Sequence, residues 1–489
     1  MSGSIPSVEP GMLLRQEGGM TAIQRDYSLA GQETPRAIER GLANAQWYRP
    51  PIDPARLREL SVRTNGRAAF DTLLWLGLIV GFGALAWTLR SSWWAVPAFM
   101  AYGALYGGAS DSRWHEMGHG SAFKSGRAND VIYYLASFML LRGPTQWRWS
   151  HVRHHTDTLI VGRDPEISFP RPTSRFDIAL FMLGWKSVVP LVRTMLRHAF
   201  VGLDENTQDY TPEGEQKAVV REARIYVGIL GVAIAWSVAT TSIWPVMFIG
   251  LPTLYGVWLV VFFGLTQHAG LTEDALDHRL NTRTVYMNPV FRFLYSNMNY
   301  HVEHHMFPTV PYYNLPALHA EVKQYLAPPL PNTLAAYREI LTALDGQAKD
   351  LAFELPLRNL PTGPDHGGVG TVDVGVRLWG SPGVDLGAVE SFVNGEIRRV
   401  DVEDATYAVY RLAGSEIVVT DGLCTHGAAH LADGTIVDRM IECPKHNGRF
   451  DLRTGEPARK PVKEALQVHA VEIRDGRIII EPERARPRA

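Results

Sequence analysis

Residues 225–267 carry no charged side chain, and only Pro245 and Pro252 break the run. At about 1.5 Å per residue, a helix of that length is too long for one bilayer crossing and suits two. Residues 72–89 and 91–110 form a second uncharged pair, separated by Arg90. The pattern predicts four transmembrane helices arranged as two hairpins. Basic residues before the first pair (Arg56, Arg58, Arg63, Arg67) and throughout 111–224 mark the cytosolic side, and Trp93 and Trp94 anchor the outer turn. Residues 131–141 are apolar but too short to span, so an interfacial or re-entrant placement is expected. Residues 176–200 mix Lys186, Arg193 and Arg197 with large apolar side chains and read as one interfacial helix.

A chain of 489 residues has room for two or more domains. Its net charge of −2 gives no bulk basic character, so nucleic acid is not an expected partner. The polar N-terminus has no apolar core of a secretory signal, and residues 1–45 read as an extension. After residue 325 comes a helical candidate over 333–344, then a Pro- and Gly-rich stretch over 355–370, which marks a boundary. Beyond it, short alternating strands are expected over 398–402, 406–412, 417–420, 466–473 and 477–480. The domain limits that follow are 46–325 for the membrane part, 326–374 for the helix and linker, 375–483 for a small β domain and 484–489 for a tail.

Histidine is concentrated where crossings end. His115 and His119 lie one helical turn apart. His151, His154 and His155 repeat the spacing of His301, His304 and His305, and His268 closes the last apolar run. Counting crossings puts all of them on one membrane face. A lone histidine is most often a satisfied core or surface residue. Nine imidazoles together exceed one ion's coordination and suit two, and with no cysteine in this half they favour redox iron over structural zinc. A transport site would lie nearer the bilayer midplane.

The words H-x-x-x-H, H-x-x-H-H and H-x-x-H-H resemble the three histidine boxes of the membrane fatty acid desaturase superfamily, over about residues 46–320. That resemblance implies four membrane helices, a cytosolic di-iron site and O2-dependent attack on unactivated C–H bonds. It implies His115, His119, His151, His154, His155, His301, His304 and His305 as ligands, with His268 as the extra one. Glu116, Asp157, Asp164, Asn299 and Glu303 are candidate partners for ring N–H groups, or ordinary polar residues. His198, His278, His319, His366, His430 and His469 match no box and take the ordinary reading. Trp114, Trp147 and Trp149 lie near boxes, where interfacial anchoring accounts for them equally well.

The chain has two cysteines, in Cys424-Thr425-His426 and Cys443-Pro444-Lys445-His446. Two Cys and two His can hold a zinc ion or a Rieske [2Fe–2S] centre. Their spacing, with Asn447-Gly448-Arg449-Phe450-Asp451 following, resembles Rieske ferredoxins over about 376–482. This implies Cys424 and Cys443 on the inner iron and His426 and His446 on the outer one. It lacks the extra cysteine pair of the respiratory type and is similar to the soluble type that feeds oxygenases. The His426 and His446 edge is expected to dock at the cytosolic mouth of the di-iron site.

The fold class expected is therefore an α-helical integral membrane domain, with four spans plus interfacial helices, followed by an all-β Rieske domain. A flexible linker of n residues reaches about 5–6 Å × √n, which keeps the cluster within a few tens of Å of the histidines. With no dinucleotide fingerprint in the chain, a separate NAD(P)H-dependent flavin reductase is the expected electron source. The cofactors implied are two non-haem iron ions and one [2Fe–2S] cluster, with O2 as co-substrate. The expected setting is a multi-pass protein of the cell inner membrane with both metal sites cytosolic, and a homo-oligomer is compatible with it. The pairing resembles bacterial rhizopine-catabolism systems, which favours hydroxylation or oxidative demethylation of a hydrophobic or methylated small molecule. Acyl-lipid desaturation is the alternative, and a non-catalytic membrane electron-transfer protein the second.

Overall fold

The computed structural model describes residues 25–43, 47–356, 360–361, 373–377 and 383–485, apart from 404, 413, 415, 427–428 and 445–447. Most of the N-terminal extension, most of the Pro- and Gly-rich stretch, His366 and His446 lie outside the described residues. The remainder is a helical domain followed by an all-β domain.

Helix α1 (Asn65–Thr88) is uninterrupted. Its partner begins as α2 (Ala95–Gly103), passes through a π-helical turn at Ala104–Gly108, and continues as α3 (Ser110–His119). The turn's loosened carbonyls are met by side chains: Trp75 Nε1 donates to Leu105 O at 2.9 Å and Ser110 Oγ to Tyr106 O at 2.5 Å. Helices α4 (Gly126–Met139) and α5 (Pro144–Asp157) follow. The single interfacial helix expected over 176–200 is instead two, α6 (Arg175–Met182) and α7 (Val188–Phe200). Gly184, at φ +82°, turns the chain between them, a conformation that ends a right-handed helix.

Helix α8 (Glu213–Ala239) starts about three turns before the uncharged run, on a charged stretch, and α9 (Leu251–His268) completes the second pair. Glycines set the contact between α9 and the π turn: a Cβ on Gly256 would fall on the Gly103 carbonyl oxygen, so the two backbones touch. Among the described residues two segments are long and apolar enough to cross a membrane, Asn65–Thr88 at mean hydropathy 1.8 and Trp244–His268 at 2.1. The other two expected spans differ from these, because one is cut by the π turn and the other spends its first half on charged residues. Large apolar side chains are exposed along these helices, among them Phe70, Leu73, Val80, Val232, Trp236 and Val238. Helices α10 (His301–Met306), α11 (Leu315–Val322) and α12 (Thr333–Lys349) close the domain.

The β domain comprises β1 (Asp373–Val374), β2 (Val376–Arg377), β3 (Val384–Ala388), β4 (Ile397–Val402), β5 (Ala405–Arg411), β6 (Ile417–Asp421), β7 (Thr435–Val437), β8 (Met440–Glu442), β9 (Arg449–Asp451), β10 (Pro457–Arg459), β11 (Val468–Arg474) and β12 (Arg477–Ala485). The larger sheet has the order β1-β4-β5-β6-β11-β12-β3-β2, and β7 to β10 form a second, smaller sheet in the order β10-β9-β8-β7. The five strands expected from alternation all lie in the larger sheet. Every strand of the smaller sheet is three residues long, too short to show alternation.

Candidate metal centres and the domain junction

All nine histidines singled out from the sequence meet in one place. Their ligand atoms fall into two groups, each with every atom within 4.8 Å of the others: His115, His119, His151, His155 and His304 in one, His154, His268, His301 and His305 in the other. The helices explain the repeated spacing. On α5, His151 and His155 lie four apart on one face and serve the first group, while His154 turns to the second. On α10 the assignment is reversed, with His301 and His305 in the second group and His304 in the first. An H-x-x-H-H word on a helix therefore reaches two neighbouring centres, and two such words brace each other. His155 and His305 stack between the groups, ring centroids 4.3 Å apart.

The donor set fits metal ions. Nε2 atoms face one another at 3.1 Å in His119–His151, His155–His151 and His301–His268, and at 3.2 Å in His304–His155 and His305–His301. Imidazole lone pairs converging at such distances call for a cation. Both ring nitrogens of His115, and Nδ1 of His304, are buried with no hydrogen-bond partner. The Nδ1 atoms of His155 and His301 are likewise without one. Three others are held: His151 by Glu166 at 3.1 Å, His154 by Asp164 at 2.9 Å, and His268 by the Asn281 carbonyl at 2.8 Å. These contacts fix the tautomer that leaves Nε2 open. Burial, reinforced by the neighbouring rings, pushes His119, His151, His155, His301, His304 and His305 well below the usual imidazole range, so they stay neutral. Burial also opposes charge on His154, but the Asp164 carboxylate outweighs it and raises that residue.

The five polar residues considered as ring partners divide. Asp164 holds His154, and it also accepts from Leu159 N at 2.8 Å. Glu116 lies 3.5 Å from His115 Nδ1 and 3.8 Å from His304 Nδ1, and accepts from Tyr312 N at 3.1 Å. The others serve the frame. Asp157 pairs with Arg153 at 2.7 Å, Asn299 donates to Val285 O at 2.8 Å, and Glu303 joins Thr284 to His319. Glu166 was not expected, because it lies in a loop after α5 with no periodicity to place it. His278 was likewise read as ordinary, yet its ring stacks on Trp47 and lies 5.0 Å from that of His305. His198, His430 and His469 have structural partners in Asp204, Thr406 and Asp421.

Cys424 and Cys443 are buried in one core with Tyr410, Leu431 and Phe450. Cys424 follows β6 and Cys443 follows β8, and each loop is closed by a backbone bond, Cys424 N to Ala429 O at 2.9 Å and Cys443 N to Gly448 O at 2.8 Å. The smaller sheet thus holds one of the two cysteine loops. His426 faces the helical domain, its ring centroid 6.2 Å from that of Trp149, two residues before His151.

Several contacts fasten this domain over the first histidine group. Arg459 Nη2 donates to the His119 carbonyl at 2.8 Å. Gly120 ends α3 at φ +63°, and a Cβ there would fall on the Arg459 guanidinium. Glu442, 1% exposed, receives Arg63 from the helical domain, Arg449 at 2.6 Å and Arg459 at 3.6 Å. Burial alone would raise its carboxyl, but these three guanidiniums hold it below the usual range. Lys460 pairs with Glu215. Between the domains lies a cavity of about 290 Å³ that reaches His115, His119, His151 and His155.

Comparison with known proteins finds a family for each half of the chain. The fatty acid desaturase family model matches residues 91–333, and the Rieske [2Fe-2S] domain model matches 383–470. The ferredoxin component of the naphthalene 1,2-dioxygenase system of Pseudomonas aeruginosa is 41% identical over 98 residues, covering 20% of this chain and 93% of that protein. Ferredoxin CarAc of Metapseudomonas resinovorans is 43% identical over 91 residues, covering 18% of this chain and 84% of that protein. Among solved structures, a chain of the complex of reduced oxygenase and oxidized ferredoxin in carbazole 1,9a-dioxygenase is 37% identical, covering 21% of this chain and 96% of its own, at TM-score 0.20. The chain is therefore an oxidoreductase that carries a fatty acid desaturase domain and belongs, through its C-terminal domain, to the Rieske [2Fe-2S] family.

Proposed function

We propose that this protein is an O2-dependent, integral-membrane di-iron enzyme that hydroxylates or oxidatively demethylates its substrate, drawing electrons from its own Rieske domain. The observation that carries the reading is the division of nine histidines into two adjoining groups beneath the docked β domain. One iron would be held by His115, His119, His151, His155 and His304, the other by His154, His268, His301 and His305. Iron bound there would supply O2 reduction and attack on an unactivated C–H bond. Cys424, Cys443, His426 and His446 would hold the [2Fe–2S] cluster.

The chain's own residues do the positioning. Asp164 and Glu166 orient His154 and His151. Trp114, Trp147 and Tyr133 line the cavity beside the first group. Two electrons from NAD(P)H and two from the substrate complete the reduction of O2, so a separate flavin reductase is required. Four spans in two hairpins, with both centres on the cytosolic side of the inner membrane, fit the exposed apolar helices. The functional domains then occupy about 46–325 and 375–483, joined by 326–374.

The test supplies membranes containing the full chain with NADH, a flavin reductase and ¹⁸O2, and offers lipids, alkanes and methylated compounds. Label in an alcohol, or release of formaldehyde, is expected. A new double bond without label would establish the desaturase alternative. No O2-dependent oxidation of NADH with any substrate would overturn the enzyme reading in favour of electron transfer alone.

A further inference from the structure

The cavity between the two domains is built unlike a channel for a bare hydrocarbon. Part of its lining is aromatic, from Trp114, Tyr133, Trp147 and Trp149, and it reaches the first histidine group. Another part is basic, with Arg63, Lys124 and Arg148 from the helical domain and Arg449, Arg459 and Lys460 from the Rieske domain. Part of that charge is balanced: Arg148 pairs with Asp130 and Lys460 with Glu215. Arg63, Arg449 and Arg459, however, share the single carboxylate of Glu442, which leaves a buried excess of positive charge.

That excess asks for an anionic occupant, which guanidiniums hold by charge-assisted hydrogen bonds. Size adds a limit. The cavity of about 290 Å³ has room for about ten waters by their share of liquid volume, and lies at the small end of ligand sites.

We infer that this cavity is the substrate chamber, and that it takes a compact carboxylate whose apolar body lies among the tryptophans and whose anionic end is held at the Arg63–Arg449–Arg459 cluster. The inference rests on the O2-dependent reading above for the word substrate, but not for the binding. Since two of the three guanidiniums come from the Rieske domain, the chamber is complete only when that domain is docked. The carboxylate could belong to a soluble acid or to a membrane fatty acid, and the size of the cavity selects the soluble one.

The test is equilibrium dialysis of the full-length protein in detergent, with its metals loaded, against radiolabelled benzoate, benzyl alcohol and palmitate. Benzoate is expected to bind, and benzyl alcohol to bind at least tenfold more weakly. Loss of one charge-assisted partner in Arg63→Gln or Arg459→Gln should weaken benzoate by about ten- to hundredfold and leave benzyl alcohol unchanged. Arg459→Lys keeps the charge and should retain most of the benzoate binding. Equal binding of benzoate and benzyl alcohol, or benzoate binding indifferent to both glutamine variants, overturns the inference. Palmitate binding in preference to benzoate overturns the compact, soluble class. Benzoate bound as expected with no O2-dependent turnover of any compound would sink the enzyme reading and leave the anion site standing. Turnover of neutral compounds without benzoate binding would do the reverse.

Discussion

Glu442 is the Rieske-domain carboxylate that Arg63 of the helical domain grips across the junction. Glu442→Gln keeps the shape and one acceptor but removes the charge that three guanidiniums share. Breaking a buried ion pair from one side costs about 3–5 kcal/mol. Arg449 and Arg459 belong to the Rieske domain itself, so their share appears as lower stability of that domain. Only the Arg63 arm crosses the junction, and a charge-assisted bond of this kind is worth about 1.5–3 kcal/mol. The ratio of docked to undocked protein should therefore fall by about ten- to hundredfold. Hydrogen exchange at residues 118–120 reads the docking directly, and the variant should lose protection there. The Rieske EPR signal should persist at full amplitude while electron delivery to O2 slows. A double-mutant cycle with Arg63→Gln isolates the pair. Unchanged exchange at 118–120 and unchanged delivery would refute the claim that this contact fastens the junction. The pH dependence has a definite sign. Glu442 is depressed in the folded protein, so its contribution is fully present above about pH 4.5, its ordinary value, and fades only as pH falls through the lower folded one. Docking should be flat from neutrality down to about pH 4.5 and weaken below it.

Other expectations follow from the same geometry. His304→Ala should abolish turnover and remove iron from the first group while the Rieske visible spectrum survives; activity with a normal iron content would show that His304 is no ligand. Cys443→Ser should eliminate the Rieske EPR signal and NADH-driven activity, and retained activity would mean another donor serves the site. Asp164→Asn, which takes the charge from the 2.9 Å contact to His154, should weaken iron binding about 10–100-fold in a chelator competition. An unaltered competition curve would show that Asp164 only shapes its loop. Gly256→Leu should prevent α9 from meeting the π turn and yield little folded protein, whereas tolerance of the leucine would mean the backbones need not touch.

The histidine groups were legible because the chemistry repeats at helical spacing. Two H-x-x-H-H words and one H-x-x-x-H word fix faces, and faces fix neighbours. The partition into five and four was not legible, since it depends on how α5 and α10 cross, and that is tertiary packing. Glu166 was not singled out and His278 was read as ordinary for a related reason: both reach the histidine groups from segments with no periodicity of their own. In the β domain the larger sheet showed through alternation, but β7 to β10 are three residues each and are held by pairing alone. The apolar runs indicated where helices lie, not where they begin. Helix α8 extends into Glu213–Arg224 because its charged first half packs against α5 and α7, with Glu222 receiving Thr145 Oγ1 at 2.7 Å.

The π turn at Ala104–Gly108 is equivalent to one residue inserted into an otherwise continuous α-helix. Each residue of an α-helix advances the side chains by about 100° and 1.5 Å. Everything downstream of the turn is thus out of phase with α2 by about that angle. The lipid-compatible face of α2 and the histidine face of α3 are set independently by that offset. Deleting a single residue between 104 and 108 would restore a regular helix, yet it would swing His115 and His119 about a quarter turn from their partners. The turn that looks like an imperfection in the helix is what lets one rod carry an apolar exterior at one end and a histidine-lined interior at the other.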